Sequence, residues 1–190
     1  MEKASHLVSV QWLSQHLADP NVVIIDTRFA LATADQGRNQ YAAGHIPGAY
    51  YLDLNKDLSS AVMQHGGRHP LPQWDAFVSR LNRMGIHSHR SEDGTAQKST
   101  QIVVYDDSRF AFAARLWWML RYVGHKQVAI LDGGIQAWKA AEQPLSTETP
   151  ADKDGNFQPE PQPDWIVERE MLRQRKDLPN VVVIDSRSPE

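Results

Sequence analysis

The sequence predicts an α/β domain with a small, mainly parallel sheet that is flanked by helices on both faces. Three short apolar runs carry this prediction, at residues 22–25, 102–105 and 128–131. Each run is rich in β-branched residues and apolar throughout, which is typical of strands covered on both faces. Because polar turns and helical spacings separate the runs, strands and helices alternate over residues 6–143.

The chain begins with a short extended piece and a helix within residues 8–17. Ser9 is a candidate N-cap, because its hydroxyl can accept a hydrogen bond from a free N–H group of the first helical turn. The sequence Asp-Pro-Asn at 19–21 ends this helix, since proline cannot continue it. After the first strand, the small polar residues 29–40 predict a long loop.

The next part of the domain combines a turn, a strand and a helix. The Pro-Gly pair at 47–48 is a turn signal and predicts a strand over 49–52. Residues 55–72 are polar and read as irregular surface structure. A helix is expected over 72–84, with Gly85 as its C-terminal cap. Its apolar face consists of Trp74, Phe77, Val78 and Leu81.

Residues 101–121 combine a strand, a polar loop with Asp106 and Asp107, and a helix from Ala111. A loop between a parallel strand and a helix N-terminus is where α/β folds usually bind ligands, because free N–H groups point into it. A further helix follows the Asp-Gly-Gly turn at 132–134. Four residues after Ala111 fall at helical spacings and predict this helix: Ala114, Trp117, Trp118 and Arg121.

Composition favours a cytoplasmic protein and argues against several partners. The 190 residues are 41% hydrophobic and 23% charged, which is ordinary for a globular protein. A net charge of −3 gives no general attraction to nucleic acid or acidic membranes. No apolar run approaches the roughly 18 residues of a membrane helix, and residues 1–6 lack signal-peptide features. The absence of cysteine excludes disulfides, thiolate catalysis and Cys-ligated metals in this polypeptide.

An internal repeat marks the end of the chain. Residues 179–187, Pro-Asn-Val-Val-Val-Ile-Asp-Ser-Arg, match residues 20–28 at seven of nine positions. We therefore expect a whole domain at 1–145, a semi-rigid Pro-rich inter-domain linker at 146–164 and the beginning of a second, incomplete domain at 165–190. A helix and one strand bury too little surface to fold alone. The missing second domain is thus an expected partner, in a parent protein that runs on.

Four segments cover nearly all of the first domain in order and spacing. They are Val-Val-Ile-Ile-Asp-Thr-Arg at 22–28, Gly-His-Ile-Pro-Gly-Ala at 44–49, Val-Val-Tyr-Asp at 103–106 with Arg-Leu-Trp-Trp-Met-Leu-Arg at 115–121, and 128–138 with its Asp-Gly-Gly. Together these segments resemble one known family, the two-domain rhodanese-type sulfurtransferases that use thiosulfate or 3-mercaptopyruvate. The resemblance implies a rhodanese-like fold, here followed by a truncated second copy.

The chemistry that this resemblance implies is transfer of a sulfane sulfur from the donor to a thiophilic acceptor, cyanide or a thiol. In the family, a low-pKa cysteine in the strand-to-helix loop of the second domain becomes a persulfide. Backbone N–H groups and the helix N-terminus stabilise such anions. The equivalent loop of the first domain is catalytically silent, and Asp106 stands at the cysteine position. No metal or other cofactor is implied, and the 190-residue chain is expected to be inactive.

Arg187 is the candidate substrate-binding residue. The ending Ile-Asp-Ser-Arg at 184–187 resembles the place where family members carry an arginine that binds the anionic donor. A guanidinium suits a carboxylate or thiosulfonate, because it forms paired hydrogen bonds. A salt bridge at the domain junction is the alternative, and it is the expected role of Arg28 in the first copy.

Other polar and aromatic residues have competing interpretations. Asp106 and Asp107 suit acid–base or metal chemistry. The alternative is a polar loop in which the aspartate caps the following helix. His45 is a general base or a local hydrogen-bonding group that fixes the turn before Pro47. Trp117 and Trp118 are expected in the core and at the domain interface, and Arg115 and Arg121 in ion pairs or inter-domain contacts. Four loop histidines without ligand spacing are expected to be solvated: His65, His69, His87 and His89.

Three functions therefore compete. The leading hypothesis is a sulfurtransferase represented by its N-terminal domain. The second is a non-catalytic rhodanese-like module that binds a partner or regulates. The third gives Asp106 acid–base or phosphoryl chemistry of its own, and it is the weakest because no phosphate loop or metal cluster accompanies this residue.

Overall fold

The computed structural model describes residues 6–88 and 99–185, and it confirms the α/β prediction. Five parallel strands form one sheet in the order β1-β5-β4-β2-β3. Strands that neighbour each other but are not consecutive need crossover connections, which the helices supply. The strands are β1 (Leu7–Val8), β2 (Val22–Asp26), β3 (Tyr50–Tyr51), β4 (Gln101–Tyr105) and β5 (Val128–Leu131).

The helices of the described residues follow the predicted order, with one addition. No helix in this part of the chain is long and apolar enough to cross a membrane. The helices are α1 (Val10–Gln15), α2 (Gln36–Ala43), α3 (Trp74–Arg83), α4 (Ala111–Tyr122), α5 (Gly134–Ala140) and α6 (Arg169–Arg175), with a 3₁₀ turn at Pro163–Trp165.

The sheet separates two apolar cores, which explains why its strands are apolar throughout. Side chains alternate along β4, as they do in any strand. Ile102 and Val104 belong to the core on the side of α3 and α4. Val103 and Tyr105 belong to the core that includes residues of α1 and α5. Helices therefore cover both faces, as predicted.

Local signals at helix ends are confirmed. The Ser9 hydroxyl accepts a hydrogen bond from the Trp12 N–H group at 3.1 Å, which caps α1. On α3, Phe77 and Leu81 are buried as the spacing predicts. Gly85 follows this helix with φ of 72°, the left-handed conformation expected after a helix C-terminus.

The prediction of a loop over residues 29–40 is wrong, because α2 begins at Gln36. This helix is polar and has no apolar stripe, so tertiary contacts rather than amphipathicity must stabilise it. Gly37 lies so close to the chain that a Cβ atom there would be 1.9 Å from the carbonyl oxygen of Arg28. The hydroxyl of Tyr41 donates to the carbonyl oxygen of Ala49 at 2.7 Å.

The predicted helix α4 is confirmed, and the residues that it buries are others than the four at the predicted spacings. Ala114 is exposed, and Trp117 and Trp118 are only partly buried. The two tryptophans therefore flank the buried stripe and cover its margins. Four other residues of α4 are buried: Ala113, Leu116, Met119 and Leu120.

Residues 146–162, which we call the strap, run along the surface of the domain. Ser146 exchanges two backbone hydrogen bonds with His45, at 2.8 and 2.9 Å. Phe157 is buried, and its N–H group donates to the side-chain oxygen of Asn82 at 2.6 Å. These contacts lie in the predicted linker, and the division of the chain into domains at 145 and 164 stays a prediction.

The second copy of the repeat has no sheet around it in the described residues. Residues 181–185 have no regular secondary structure and belong to none of the described strands, and α6 buries none of its residues. The side chain of Ile184 is 86% exposed, whereas its counterpart Ile25 in β2 is fully buried. Arg187 lies outside the described residues.

Candidate functional site

The carboxyl ends of the strands meet at one edge of the sheet, where the loop from β4 to α4 is held from two sides. The backbone N–H and the hydroxyl of Thr27 both donate to the carbonyl oxygen of Tyr105, each at 2.9 Å. The N–H group of Ile135 donates to the carbonyl oxygen of Asp106 at 3.1 Å. The loops after β2 and β5 therefore fix the start of this loop, at the edge where such folds bind ligands.

The carboxylate of Asp106 fills the centre of the loop. One oxygen accepts hydrogen bonds from the N–H groups of Ser108 and Phe110, at 3.0 and 3.1 Å. The other accepts from Phe112 and Ala113 in the first turn of α4, at 2.9 and 3.0 Å. The residue is 1% exposed. Asp106 therefore acts as a helix cap, and four backbone donors that would suit a bound anion already have their partner.

The backbone of this loop has an unusual shape that these hydrogen bonds maintain. Arg109 and Phe110 both have positive φ, at 55° and 72°, which is uncommon for residues with a side chain. On the other side, Gly134 also has positive φ, and a Cβ atom there would be 2.3 Å from the carbonyl oxygen of Asp106. The Asp-Gly-Gly turn is thus required for close approach of two backbones.

A buried ion pair lies at the end of β2. The guanidinium of Arg28 donates to the Asp26 carboxylate, with a shortest distance of 2.6 Å, and to the Gly44 carbonyl oxygen at 2.8 Å. The Tyr105 hydroxyl donates to Asp26 at 2.7 Å. Burial alone would lower the pKa of Arg28, but the hydrogen bonds and charge of Asp26 outweigh it and raise that pKa. Arg28 is therefore a structural residue, as predicted for the first copy.

Asp107 differs from its neighbour Asp106. It is partly exposed, and burial raises its pKa, with the charge of Asp106 adding to that effect and the charge of Arg28 opposing it. In the described part of the chain, no group of three histidine or acidic residues could hold a metal ion. The Asp106 carboxylate is engaged by four backbone N–H groups as a helix cap, whereas no backbone cap of this kind involves the Asp107 carboxylate in the described residues.

The predicted histidine candidates are dispersed. His45 is fully buried, and its ring nitrogens lie 2.8 and 3.0 Å from the carbonyl oxygens of Tyr41 and Glu148. It is a local hydrogen-bonding residue that also fastens the strap. His87 contacts the side chain of Asn156 at 2.7 Å, so it is not simply solvated. His65 is exposed, and His89 lies outside the described residues.

Within residues 6–88 and 99–185, neither arginine of α4 forms an ion pair, and the alternative, inter-domain contacts, stays a prediction. The Arg115 side chain donates to the carbonyl oxygens of Leu58, His69 and Pro70, at 2.8 to 3.2 Å. The Arg121 guanidinium instead lies over the ring of Trp117, 5.0 Å from its centroid. The spacing of residues along α4 did not predict that Arg115 binds main-chain carbonyl groups or that Arg121 lies over Trp117.

The tryptophans of α4 lie between the domain and its flanking segments. The Trp117 ring packs edge-on against His6, with ring centroids 5.3 Å apart. The Trp118 ring stacks on Tyr122 and lies 6.3 Å from the ring of Trp165, beyond the strap. Their expected place at a domain interface stays a prediction.

A rhodanese-like domain model matches residues 9–141, which is more than half of the chain. The chain belongs to the rhodanese family. This membership confirms the family and the fold that the sequence motifs predicted.

Similar rhodanese proteins are longer than this chain. A probable 3-mercaptopyruvate sulfurtransferase from Pseudomonas aeruginosa is 34% identical over 187 residues, which cover 97% of this chain but 62% of that protein. Thiosulfate/3-mercaptopyruvate sulfurtransferase 2 from Arabidopsis thaliana is 37% identical over 136 residues, 71% of this chain and 36% of that protein. The structure of the 3-mercaptopyruvate sulfotransferase SseA from Escherichia coli matches with a TM-score of 0.72 and 29% identity, over 90% of this chain and 61% of that one.

Proposed function

We propose that this chain is the N-terminal unit of a sulfurtransferase that moves a sulfane sulfur from thiosulfate or 3-mercaptopyruvate to cyanide or a thiol. The nucleophile is a cysteine in a second rhodanese unit, of which this chain carries only the beginning. The hydrogen bonds of the Asp106 carboxylate support this division. The carboxylate accepts hydrogen bonds from four backbone N–H groups, and a persulfide in this loop would need the same donors. The sulfurtransferase names of the relatives support the reaction class.

The proposed reaction has two steps. With thiosulfate, the cysteine thiolate attacks the outer sulfur, the sulfur–sulfur bond breaks, and sulfite leaves with the electron pair. With 3-mercaptopyruvate, the thiolate attacks the thiol sulfur of the donor and the carbon–sulfur bond breaks. The carbon keeps the electron pair of that bond and takes the proton of the thiol, which gives pyruvate. In the second step cyanide or a thiolate attacks the outer sulfur of the persulfide and releases the cysteine thiolate.

The substitution Asp106→Cys tests whether the first loop is a persulfide site with the wrong side chain. We expect the new thiol to be largely ionised at neutral pH, because the same N–H groups and helix N-terminus face it. It should react with iodoacetamide faster than a control thiol and gain one sulfur atom from thiosulfate, measured by mass spectrometry. Ala114→Cys, on the exposed side of the same helix, is the control. Equal alkylation rates for the two thiols would refute this interpretation of the loop.

We also propose that Arg187 binds the anionic donor in a complete second unit. The competing role is that of its counterpart Arg28, which is buried against Asp26. In a protein with both units, Arg187→Gln should raise the KM for thiosulfate and leave the melting temperature nearly unchanged. A large fall in the melting temperature with unchanged KM would instead identify Arg187 as a structural residue.

The alternative function is a non-catalytic rhodanese-like module, which the absence of cysteine from this chain favours. The continuation of the reading frame distinguishes the two. A cysteine in a strand-to-helix loop, near the repeat offset of 159 beyond Asp106, supports the enzyme. A continuation without such a cysteine supports the module.

A further inference from the structure

The strap (residues 146–162) crosses the C-terminal end of α3 through a close backbone contact. The N–H group of Lys153 donates to the carbonyl oxygen of Arg83, the last residue of α3, at 2.8 Å. A Cβ atom at Gly155 would lie 2.5 Å from the carbonyl oxygen of Ile86, in the turn that follows the helix. Because only glycine allows so close an approach, the strap is fitted to this turn backbone to backbone.

The C-terminal end of α4 holds the last part of the strap in the same way. The N–H group of Glu160 donates to the carbonyl oxygen of Val123 at 2.8 Å. The N–H group of Gln162 donates to the carbonyl oxygen of Tyr122, also at 2.8 Å. Carbonyl groups at the end of a helix have no partner within the helix. The strap therefore supplies donors that α4 lacks, and a Cβ atom at Gly124 would be 2.9 Å from the carbonyl oxygen of Glu160.

Phe157 fixes the strap between the two helix ends. Its side chain is 2% exposed and belongs to the apolar core on the side of α3 and α4. The Phe157 N–H group donates to Asn82 of α3, and the ring packs edge-on against His125, with centroids 5.6 Å apart. A linker that moves freely leaves its side chains in water, whereas this one contributes a buried aromatic ring to the core of the first unit.

The proposed second unit begins directly after the strap. A 3₁₀ turn at Pro163–Trp165 joins the strap to this unit, and the ring of Trp165 lies 6.3 Å from that of Trp118 in α4. A free chain of the strap's length would have a root-mean-square end-to-end distance of roughly 20–25 Å, so that the second unit could take many positions. A chain that is held up to Gln162 removes most of this freedom.

We propose that the strap belongs to the first unit and holds the second unit at the C-terminal ends of α3 and α4. The first unit then ends at Gln162 and not at residue 145. The surface at these helix ends has the strap as its partner, and the strap sets where the second unit starts. The held position of the second unit rests on the proposed function. The attachment of the strap does not, because it is measured without a sulfur donor and without a second unit.

Distances between pairs of spin labels test the attachment in the 190-residue chain, which has no cysteine of its own. Ala114→Cys on the exposed side of α4 and Asp164→Cys just after the strap form the test pair. Ala114→Cys and Ser79→Cys, on the exposed side of α3, form the reference pair. We expect distance distributions of equal width, measured by electron paramagnetic resonance. A test pair several times broader than the reference pair would overturn the proposal, because the strap would then be a free linker.

Gly155→Ala should detach the strap, because its methyl group would collide with the carbonyl oxygen of Ile86. We expect the distribution of the test pair to broaden about twofold or more and that of the reference pair to stay the same, which shows that the first unit remains folded. Asp154→Ala, at the neighbouring exposed position of the strap, is the control and should change neither pair. Equal widths of the test pair in the two variants would contradict the role of this contact. If both pairs broaden, Gln162→Pro repeats the test with a smaller change, since it removes only one hydrogen bond of the strap.

A protein with both units tests the second part of the proposal. With its own cysteines replaced by serine, labels at Ala114→Cys and at Arg173→Cys in α6 report the position of the second unit. Their distance distribution should be as narrow as that of the reference pair, and Gly155→Ala should broaden it. An unchanged distribution in Gly155→Ala would overturn this part, because it would show that contacts between the units hold the second unit without the strap.

Discussion

The two copies of the Val-rich repeat have nearly the same sequence and opposite environments. Val23 and Ile25 of the first copy lie in β2, between β3 and β4, and are at most 6% exposed. Their counterparts Val182 and Ile184 are 82% and 86% exposed. The burial of such a strand therefore comes from its neighbours and not from its own residues.

The neighbours of β2 lie later in the chain than β2 itself. They are β3 and β4, which begin 28 and 79 residues after Val22, at Tyr50 and Gln101. In the order of the first copy, the strands that pair with residues 181–185 would follow these residues in the chain. This is the physical reason to propose a second unit that completes the fold around α6 and residues 181–185.

The largest expected difference between the copies concerns the acidic residue that ends each strand. Asp26→Ala leaves the buried Arg28 without its carboxylate and should lower the free energy of unfolding by about 3–5 kcal/mol. Asp185→Ala removes an exposed side chain, whose interactions water screens, and should change it by less than about 0.5 kcal/mol. Urea unfolding of both variants measures the difference. Similar losses would show that the second copy is already folded into a stable unit.

Acid should destabilise the first unit through a buried histidine that follows α4. His125 is buried, with Nε2 2.9 Å from the carbonyl oxygen of Thr100, and burial lowers its pKa to about 4, from an ordinary 6.5. Between these values the unfolded chain binds more protons. The stability is therefore complete above pH 6.5 and falls by roughly 3 kcal/mol as the pH drops to 4.

Removal of this imidazole should flatten the pH dependence. His125→Gln should lose less stability than the unsubstituted chain between pH 6.5 and 4 in urea unfolding followed at several pH values. Residues 165–185 contain no histidine, so these residues do not contribute to the acid sensitivity through an imidazole. An unchanged slope in the variant would contradict the burial of this side chain.

The smallest expected effect comes from the removal of one methyl group from the equivalent isoleucine of each copy. Ile25→Val should cost about 0.5–1.5 kcal/mol, because it leaves a small void in a packed core. Ile184→Val should cost nothing measurable, since its side chain has no core around it. Paired thermal unfolding curves test this. Equal shifts would mean that the environments of the two strands are alike.

The strands, most helices and the family were predictable from the sequence, because each rests on a local signal. Continuous apolar runs gave β2, β4 and β5, and a serine cap gave the start of α1. The polar helix α2 was missed since its stability comes from contacts of Gly37 and Tyr41 with distant residues. No local pattern carries such information.

The candidate site was predictable in part. The position of Asp106 followed from the strand–loop–helix order, and its role as a helix cap is confirmed. The contacts of Arg115 were missed, because the carbonyl groups that it binds belong to residues 58–70, a distant segment that was predicted only as irregular surface structure.

Sulfur transfer by the 190-residue chain itself is the most direct test of the division between the two units. Purified chain, incubated with thiosulfate and cyanide, should produce thiocyanate at the uncatalysed rate. The chain has no cysteine, and Asp106 occupies the backbone donors of the loop from β4 to α4. Thiocyanate formation above that rate, in proportion to the concentration of the chain, would contradict the assignment of catalysis to the second unit.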